Sequence, residues 1–117
     1  MQNRMEEFIT ELVVYGGNAR SMALEAVEAA KKEDFTLAEE KIYACNQALN
    51  QAHEFQTDLL CSEASGQETI PVNLLLVHGQ DHLMAAITTR DLALQMIEQY
   101  KIIAEMKKYL ISGREKT

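Results

Sequence analysis

Two of the three histidines in this 117-residue chain lie in one short segment, His78-Gly79-Gln80-Asp81-His82. On a helix, His78, Asp81 and His82 would take positions i, i+3 and i+4 and share one side. Imidazole and carboxylate groups arranged in this way can bind a metal, exchange a proton or attack an electrophile. This segment is therefore the candidate functional site.

The residues alone leave three interpretations of the segment open. Its polar groups could form a hydrogen-bonded layer inside a bundle, because buried polar groups need partners. They could bind zinc, since histidines at i and i+4 can hold one ion and H-x-x-D-H resembles the H-x-x-E-H motif of zinc hydrolases. A zinc site needs a third ligand, however, and nothing in the sequence places His53 beside the other two histidines.

The third interpretation is a nucleophilic histidine. A neutral imidazole can attack a phosphoryl group, and the phosphohistidine that forms can release the group again. Such a transfer depends on positioning and on stabilisation of charge. A second imidazole one helical turn away could donate a hydrogen bond to the phosphoryl oxygens. The chain has no glycine-rich nucleotide loop, so this chemistry fits a phosphoryl carrier and not a kinase.

The elements that position these residues are predicted to be helices. Apolar residues recur at alternating steps of three and four, which is the spacing of a helical stripe, and no segment shows the period of two of a half-buried strand. The stripes are Phe8, Leu12, Tyr15, Ala19, Met22, Ala26 and Ala29; Ala38, Ile42, Cys45, Leu49, Ala52 and Leu59; and His82, Ala85, Thr89, Leu92, Met96, Ile103, Met106 and Leu110.

Local signals mark the ends of the helices. Thr36 and Glu39 have the spacing of a capping box at the start of the second helix. Gly66 can take the left-handed conformation that ends a helix, and Pro71 suits the first turn of the next one.

These signals predict helices over residues 4–32, 36–64 and 71–111, all within a single domain over residues 1–117. Short connections make neighbouring helices antiparallel. The predicted fold class is all-α, an antiparallel up-down-up three-helix bundle.

Two features fit an isolated bundle poorly. Gly16 and Gly17 lie inside the first helix, where glycine is unfavourable, so they mark either a kink or a close approach of another backbone. The third helix opens with an apolar run at residues 74–77, and further apolar residues place such side chains all around it. A helix that is apolar on every side is buried on every side, which predicts a homo-oligomer with the third helix near the symmetry axis.

Composition excludes several classes of function. The formal net charge of −7 repels nucleic acid, and no cluster of Lys or Arg offsets it. No apolar run approaches the roughly 20 residues of a membrane span. Cys45 and Cys61 lack the spacing of a redox or metal motif and are typical of a reducing compartment. We therefore expect a cytoplasmic protein that does not bind nucleic acid.

The segment over residues 77–84, Val-His-Gly-Gln-Asp-His-Leu-Met, closely resembles the active-site segment of the enzyme IIA proteins of the lactose/cellobiose (chitobiose) class of the phosphoenolpyruvate-dependent sugar phosphotransferase system. Other stretches are similar in the same order, and the resemblance covers roughly residues 5–110. These stretches are Tyr15-Gly16-Gly17-Asn18-Ala19-Arg20-Ser21, Ala52-His53 with Gln56-Thr57 and Leu60, and Glu63-Ala64-Ser65-Gly66.

The resemblance implies a homotrimer and a relay of phosphoryl groups. The phosphocarrier protein HPr would donate to His78, and the group would pass to a cysteine of enzyme IIB and then to the sugar during transport through enzyme IIC in the membrane. His82 would stabilise the phosphoryl group, and Gln80 would contact the site across the interface. Asp81 would face the threefold axis, where three copies could share Mg²⁺ or another divalent cation. No residue indicates which sugar is transported.

Overall fold

The computed structural model describes residues 2–67 and 69–115, and the side chains of residues 5–67 and 69–113. Over these residues the chain forms three α-helices and no strand: α1 (Gln2–Lys31), α2 (Phe35–Ala64) and α3 (Leu74–Glu115). They lie side by side in a rod about 73 Å long and 20 Å across. The predicted all-α class and three-helix bundle are thus confirmed.

Contacts between the helices establish the up-down-up order. Glu25 of α1 pairs with Lys41 of α2, and Glu39 of α2 pairs with Lys101 of α3, so each of these neighbours runs antiparallel. The helix α1 runs parallel to α3. It packs along both other helices, whereas α2 and α3 touch each other much less. The helix that carries the candidate site is therefore supported mainly by α1.

The starts of α2 and α3 differ from the prediction, α3 continues to Glu115, four residues beyond its predicted end, and the ends of α1 differ by one or two residues. Asp34, not Thr36, caps α2, because its side chain accepts a hydrogen bond from the Leu37 N–H at 3.1 Å. The helix α3 begins at Leu74, three residues later than predicted, because the Asn73 Oδ1 accepts from the Leu76 N–H at 2.9 Å. Pro71 lies outside the helix. Gly66 does adopt the expected left-handed conformation, with φ of 75°.

Small side chains dominate the core and allow the helices to approach closely. Leu12, Leu83 and Cys45 are the largest side chains that are fully buried. Burial raises the pKa of the Cys45 thiol, and the nearby charge of Arg90 opposes this effect in part. The remaining buried positions include many alanines, namely Ala19, Ala23, Ala26, Ala29, Ala30, Ala38, Ala52, Ala86, Ala93 and Ala104.

The apolar stripe predicted for the third helix is not the one that faces the core. The side of α3 that packs on α1 carries buried residues one position later, namely Leu83, Ala86, Ala93, Ile97 and Ala104. Leu92, Met96 and Leu110 of the predicted stripe are exposed in the protomer. Because α3 is apolar on both sides, its periodicity could not select which side meets α1. The smaller residues form that contact since they permit the closer approach.

An exposed apolar face therefore runs along α3, opposite its core side. Within the described residues it comprises Leu74, Val77, Met84, Leu92, Met96, Ile102, Ile103, Met106 and Leu110. A face of this length is unusual on a monomer and is typical of a protein interface. No helix in the described part of the chain is long and apolar enough to cross a membrane.

Candidate functional site

The first turns of α3 place the histidine pair. Asn73 caps the helix through its side chain, and its carbonyl accepts from the Val77 N–H at 3.1 Å. His78 then lies on the second turn, close to a well-defined helix start. The ring of His78 is exposed, and that of His82 is half-buried.

The two imidazoles are in direct contact. Their ring centroids are 4.5 Å apart and the planes are inclined by 79°, an edge-to-face arrangement. A group bonded to a ring nitrogen of His78 would therefore have a second imidazole within reach. The arrangement presents one accessible nucleophile with one adjacent hydrogen-bond donor. Because His78 is exposed, the predicted buried polar layer does not form within the protomer.

Two glycines allow α1 to support this pair closely. A Cβ on Gly16 would lie 3.2 Å from the backbone carbon and oxygen of His82. A Cβ on Gly79 would lie 3.4 Å from side-chain atoms of Ile9 and Leu12. Of the two explanations for Gly16 and Gly17, the close backbone approach is confirmed for Gly16. Gly17 has open space around it.

Gln80 is directed towards α2. Its Oε1 accepts a hydrogen bond from the Gln56 Nε2 at 2.7 Å. Positions two apart on a helix do not face each other, so Gln80 does not share a side with His78 or His82 in one protomer. Any contact between Gln80 and a phosphoryl group must come from a neighbouring copy. The role of Gln56 in holding Gln80 was not recognisable from the sequence, because only the fold brings α2 beside this turn.

Asp81 is exposed on the apolar face of α3. Among the described residues it has no ion pair or hydrogen bond. No group of three His, Cys, Asp or Glu side chains in the described part of the protomer could hold a metal ion. His53 is exposed on α2 and belongs to no such group. The third ligand required by the zinc interpretation is therefore not supplied by these residues, and a metal at Asp81 would need ligands from other copies.

The surface beside His78 is apolar. Leu74 and Leu75 line an open pocket together with His78, and both leucines are exposed. An accessible nucleophile within an apolar surface suits transfer between two docked proteins, because docking removes water from the reacting atoms.

The sequence matches the family model described as "PTS system, Lactose/Cellobiose specific IIA subunit" over residues 7–101. This range includes His78 and His82. The chain belongs to this IIA family. The IIA family is part of the sugar phosphotransferase system and serves sugar transport. The resemblance drawn from the His78–His82 segment is thereby confirmed.

Individual relatives agree with the assignment. The chain is 43% identical to the lichenan-specific phosphotransferase enzyme IIA component of Bacillus subtilis, over 92% of this chain and 96% of that protein. The crystal structure of the cellobiose-specific enzyme IIA from Bacillus anthracis superposes with a TM-score of 0.82 at 43% identity, covering 86% of this chain and 91% of the other.

A second similar structure contains a partner protein. It is the IIA(chitobiose) of Escherichia coli in a solution complex with HPr, with a TM-score of 0.73 at 37% identity, covering 85% of this chain and 95% of the other. The names of these three relatives mention three different sugars. Similarity to them therefore does not assign a sugar to this IIA protein.

Proposed function

We propose that this IIA protein carries a phosphoryl group on His78, which it accepts from phosphorylated HPr and passes to enzyme IIB in the cytoplasm. The observation that carries the proposal is the exposed His78 ring in edge contact with His82 on the second turn of α3. Family membership supports it, and so does the similar IIA protein that was determined in complex with HPr.

The acceptance step exchanges one nitrogen–phosphorus bond for another. A ring nitrogen of neutral His78 attacks the phosphorus atom of the donor phosphohistidine, whose other ring nitrogen is protonated, and the donor departs as a neutral imidazole as its nitrogen–phosphorus bond breaks. In the second step the thiolate of a cysteine on enzyme IIB attacks the phosphorus, and His78, which keeps the proton on its other ring nitrogen, departs as a neutral imidazole. The sugar then receives the group during passage through enzyme IIC. No oxidant, nucleotide or further reactant enters either step.

His82 is proposed to stabilise the phosphoryl group and not to carry it. Its ring is the less exposed of the two, and it lies within contact of the His78 ring. A ring N–H of His82 can donate a hydrogen bond to a phosphoryl oxygen on His78, which favours the charged group. Gln80 is proposed to contribute from a neighbouring protomer, because its own protomer directs it towards α2.

The working form is proposed to be a homotrimer with α3 at the threefold axis. The exposed apolar face along α3 supports this assembly, because three such faces can cover one another. Asp81 lies on that face, so three carboxylates would converge at the axis. Carboxylate oxygens are suitable ligands for Mg²⁺ or another divalent cation, which would neutralise their mutual repulsion. The cation's role would be structural.

The test is labelling by phosphorylated HPr, followed by intact-mass measurement. Wild-type protein should gain one phosphoryl group per chain, and His78→Ala should gain none while it keeps its helical content and assembly state. The bond is a phosphoramidate, so the label should be lost in mild acid and survive alkali. A folded, trimeric His78→Ala protein that still becomes fully labelled would end the proposal.

A further inference from the structure

Positive charge is scarce at the end of the bundle that holds the histidine pair. Residues 42–89 contain no Lys or Arg, and Arg20 is the only basic residue in residues 5–30. Several carboxylates lie in these same ranges, including Asp81 on the site segment. A phosphoryl group adds a further charge of about −1.5 to −2 at neutral pH. Among residues 5–30 and 42–89, Arg20 is therefore the one lysine or arginine that could pair with that charge.

The parallel packing of α1 and α3 places the Cα of Arg20 about one helical turn beyond the level of His82 and about two turns beyond that of His78. Gly16 lies opposite the backbone of His82, and Arg20 follows Gly16 by four residues, about 6 Å along the axis. Side chains on a helix lean towards its N-terminus. Since α1 and α3 run in the same direction, Arg20 and both histidines lean the same way, so the long arginine side chain must itself span the axial offset.

The hydrogen bonds and grooves show that Arg20 and His82 lie on the same flank. Tyr15, Asn18 and Met22 line the groove between α1 and α2, so they mark the side of α1 that faces α2. Arg20 is two positions from both Asn18 and Met22 and therefore faces away from α2.

On α3, Gln80 faces α2 through its hydrogen bond to Gln56. His82 is two positions further along and faces away from α2, and His78 shares its side. Arg20 and the histidine pair thus border the same cleft between α1 and α3.

The guanidinium of Arg20 is also available. Its side chain is exposed, and no ion pair or hydrogen bond engages it among the described residues. The next arginine along the chain, Arg90, is occupied: its Nε donates to Asp91 at 2.8 Å and its Nη1 to Asn46 at 2.9 Å. A planar guanidinium matches the oxygens of a phosphoryl group and can donate two parallel hydrogen bonds to them.

We infer that Arg20 is a phosphoryl-binding residue, whose guanidinium contacts the oxygens of the group carried on His78. The inference rests on the proposed carrier function and names a further residue that binds the group it carries. Arg20 acts together with His82 from the two sides of the cleft between α1 and α3.

The test compares three single variants in labelling by phosphorylated HPr. Arg20→Gln should accept the group at least about tenfold more slowly than wild type, because hydrogen bonds to charged groups are worth a factor of ten or more. Arg20→Lys should recover part of the rate. The matched control is Lys31→Gln, which removes the same charge from α1 at a position about 16 Å from Arg20 along the helix axis. This variant should behave as wild type. Sedimentation and circular dichroism should show all three folded and trimeric.

A second measurement separates this inference from the carrier function. Titration with inorganic phosphate should shift the NMR signals of the Arg20 Nε–H and of the His82 ring, and Arg20→Gln should abolish the shift at His82. If wild type is labelled but Arg20→Gln is labelled equally fast, the role of Arg20 is wrong and the carrier function stands. If wild type takes no label but phosphate still shifts both signals, the carrier function is wrong and the binding site stands. If wild type takes no label and phosphate shifts neither signal, the carrier function and the role of Arg20 are both wrong. If the Arg20→Gln protein is monomeric, Arg20 acts in assembly and not in phosphoryl binding.

Discussion

The two histidines of the pair differ in exposure as well as in position. The ring of His78 is open to a docking partner, whereas His82 is half-buried against the contact between α1 and α3. A histidine held in this way is better suited to orienting a bound phosphoryl group than to exchanging that group with a second protein. The structure therefore supports different roles for two side chains that the sequence places in one motif.

His82→Ala is expected to separate acceptance from donation. The variant should still be labelled on His78 by phosphorylated HPr, because the nucleophile is intact. It should pass the group to enzyme IIB poorly, because the ring N–H that orients the phosphoryl group for attack is lost. Single-turnover transfer measured by intact mass gives both rates. The control is His53→Ala, which removes an exposed histidine from α2 and should leave both rates unchanged. Mapping the phosphoryl group of wild type to His82 would reverse the assignment.

At the scale of the element, the start of α3 matters most for the site. The Asn73 cap satisfies the Leu76 N–H only two residues before His78. The first four N–H groups of a helix lack partners within it, so a lost cap loosens the turn that follows. The position of His78 thus depends on a side chain that itself takes no part in the chemistry.

Asn73→Ala is expected to lower the free energy of unfolding by about 0.5–2 kcal/mol, the usual loss for an asparagine cap. Urea unfolding at a constant protein concentration measures it, since assembly makes stability depend on concentration. The matched control is Asn50→Ala, on the exposed surface in the interior of α2, which should be neutral or slightly stabilising because alanine is the better helix former. Equal stability of Asn73→Ala and wild type would contradict the assigned cap.

At the scale of the whole molecule, assembly is the main question. The protomer is a rod in which α1 supports both other helices, and the outer face of α3 remains apolar along its length. Placing three such faces around an axis would bury them and would bring Asp81 of each copy to the centre.

Leu92→Glu is expected to dissociate the trimer, because it places a charge on the face that three copies would bury. Leu60→Glu is a matched control, since Leu60 lies on α2 and both leucines are 60% exposed in the protomer. Sedimentation equilibrium at micromolar concentration should show wild type and Leu60→Glu as trimers and Leu92→Glu as a monomer. A monomeric wild type would overturn the proposed assembly.

Asp81 tests the geometry of the axis independently. Three converging carboxylates repel one another unless a cation or protons neutralise them. Chelation of divalent cations should therefore weaken the trimer, while Asp81→Leu should maintain or strengthen it and make it insensitive to chelation. The same sedimentation experiment, with and without chelator, measures both effects. Assembly that is unaffected by chelation across neutral pH would show that no metal acts at Asp81.

The order of residues along the chain was enough to predict the three helices and to recognise the histidine motif. Steps of three and four identified three helices, and the segment over residues 77–84, with the similar stretches in the same order, indicated the family. On α1 and α2 the predicted stripes also proved to be the packed ones, for instance at Leu12 and Cys45. These features follow from spacing within one helix, which the sequence contains in full.

The tertiary structure decided what required two helices at once. It selected the alanine side of α3 for the contact with α1, because small residues allow closer packing than the leucines and methionines on the opposite side. It directed Gln80 to Gln56 and away from the histidines, and it set the backbone of His82 against Gly16. It also turned Arg20 to the side of α1 that faces away from α2. Such pairings depend on the relative rotation and register of helices, and spacing along one chain segment does not specify either.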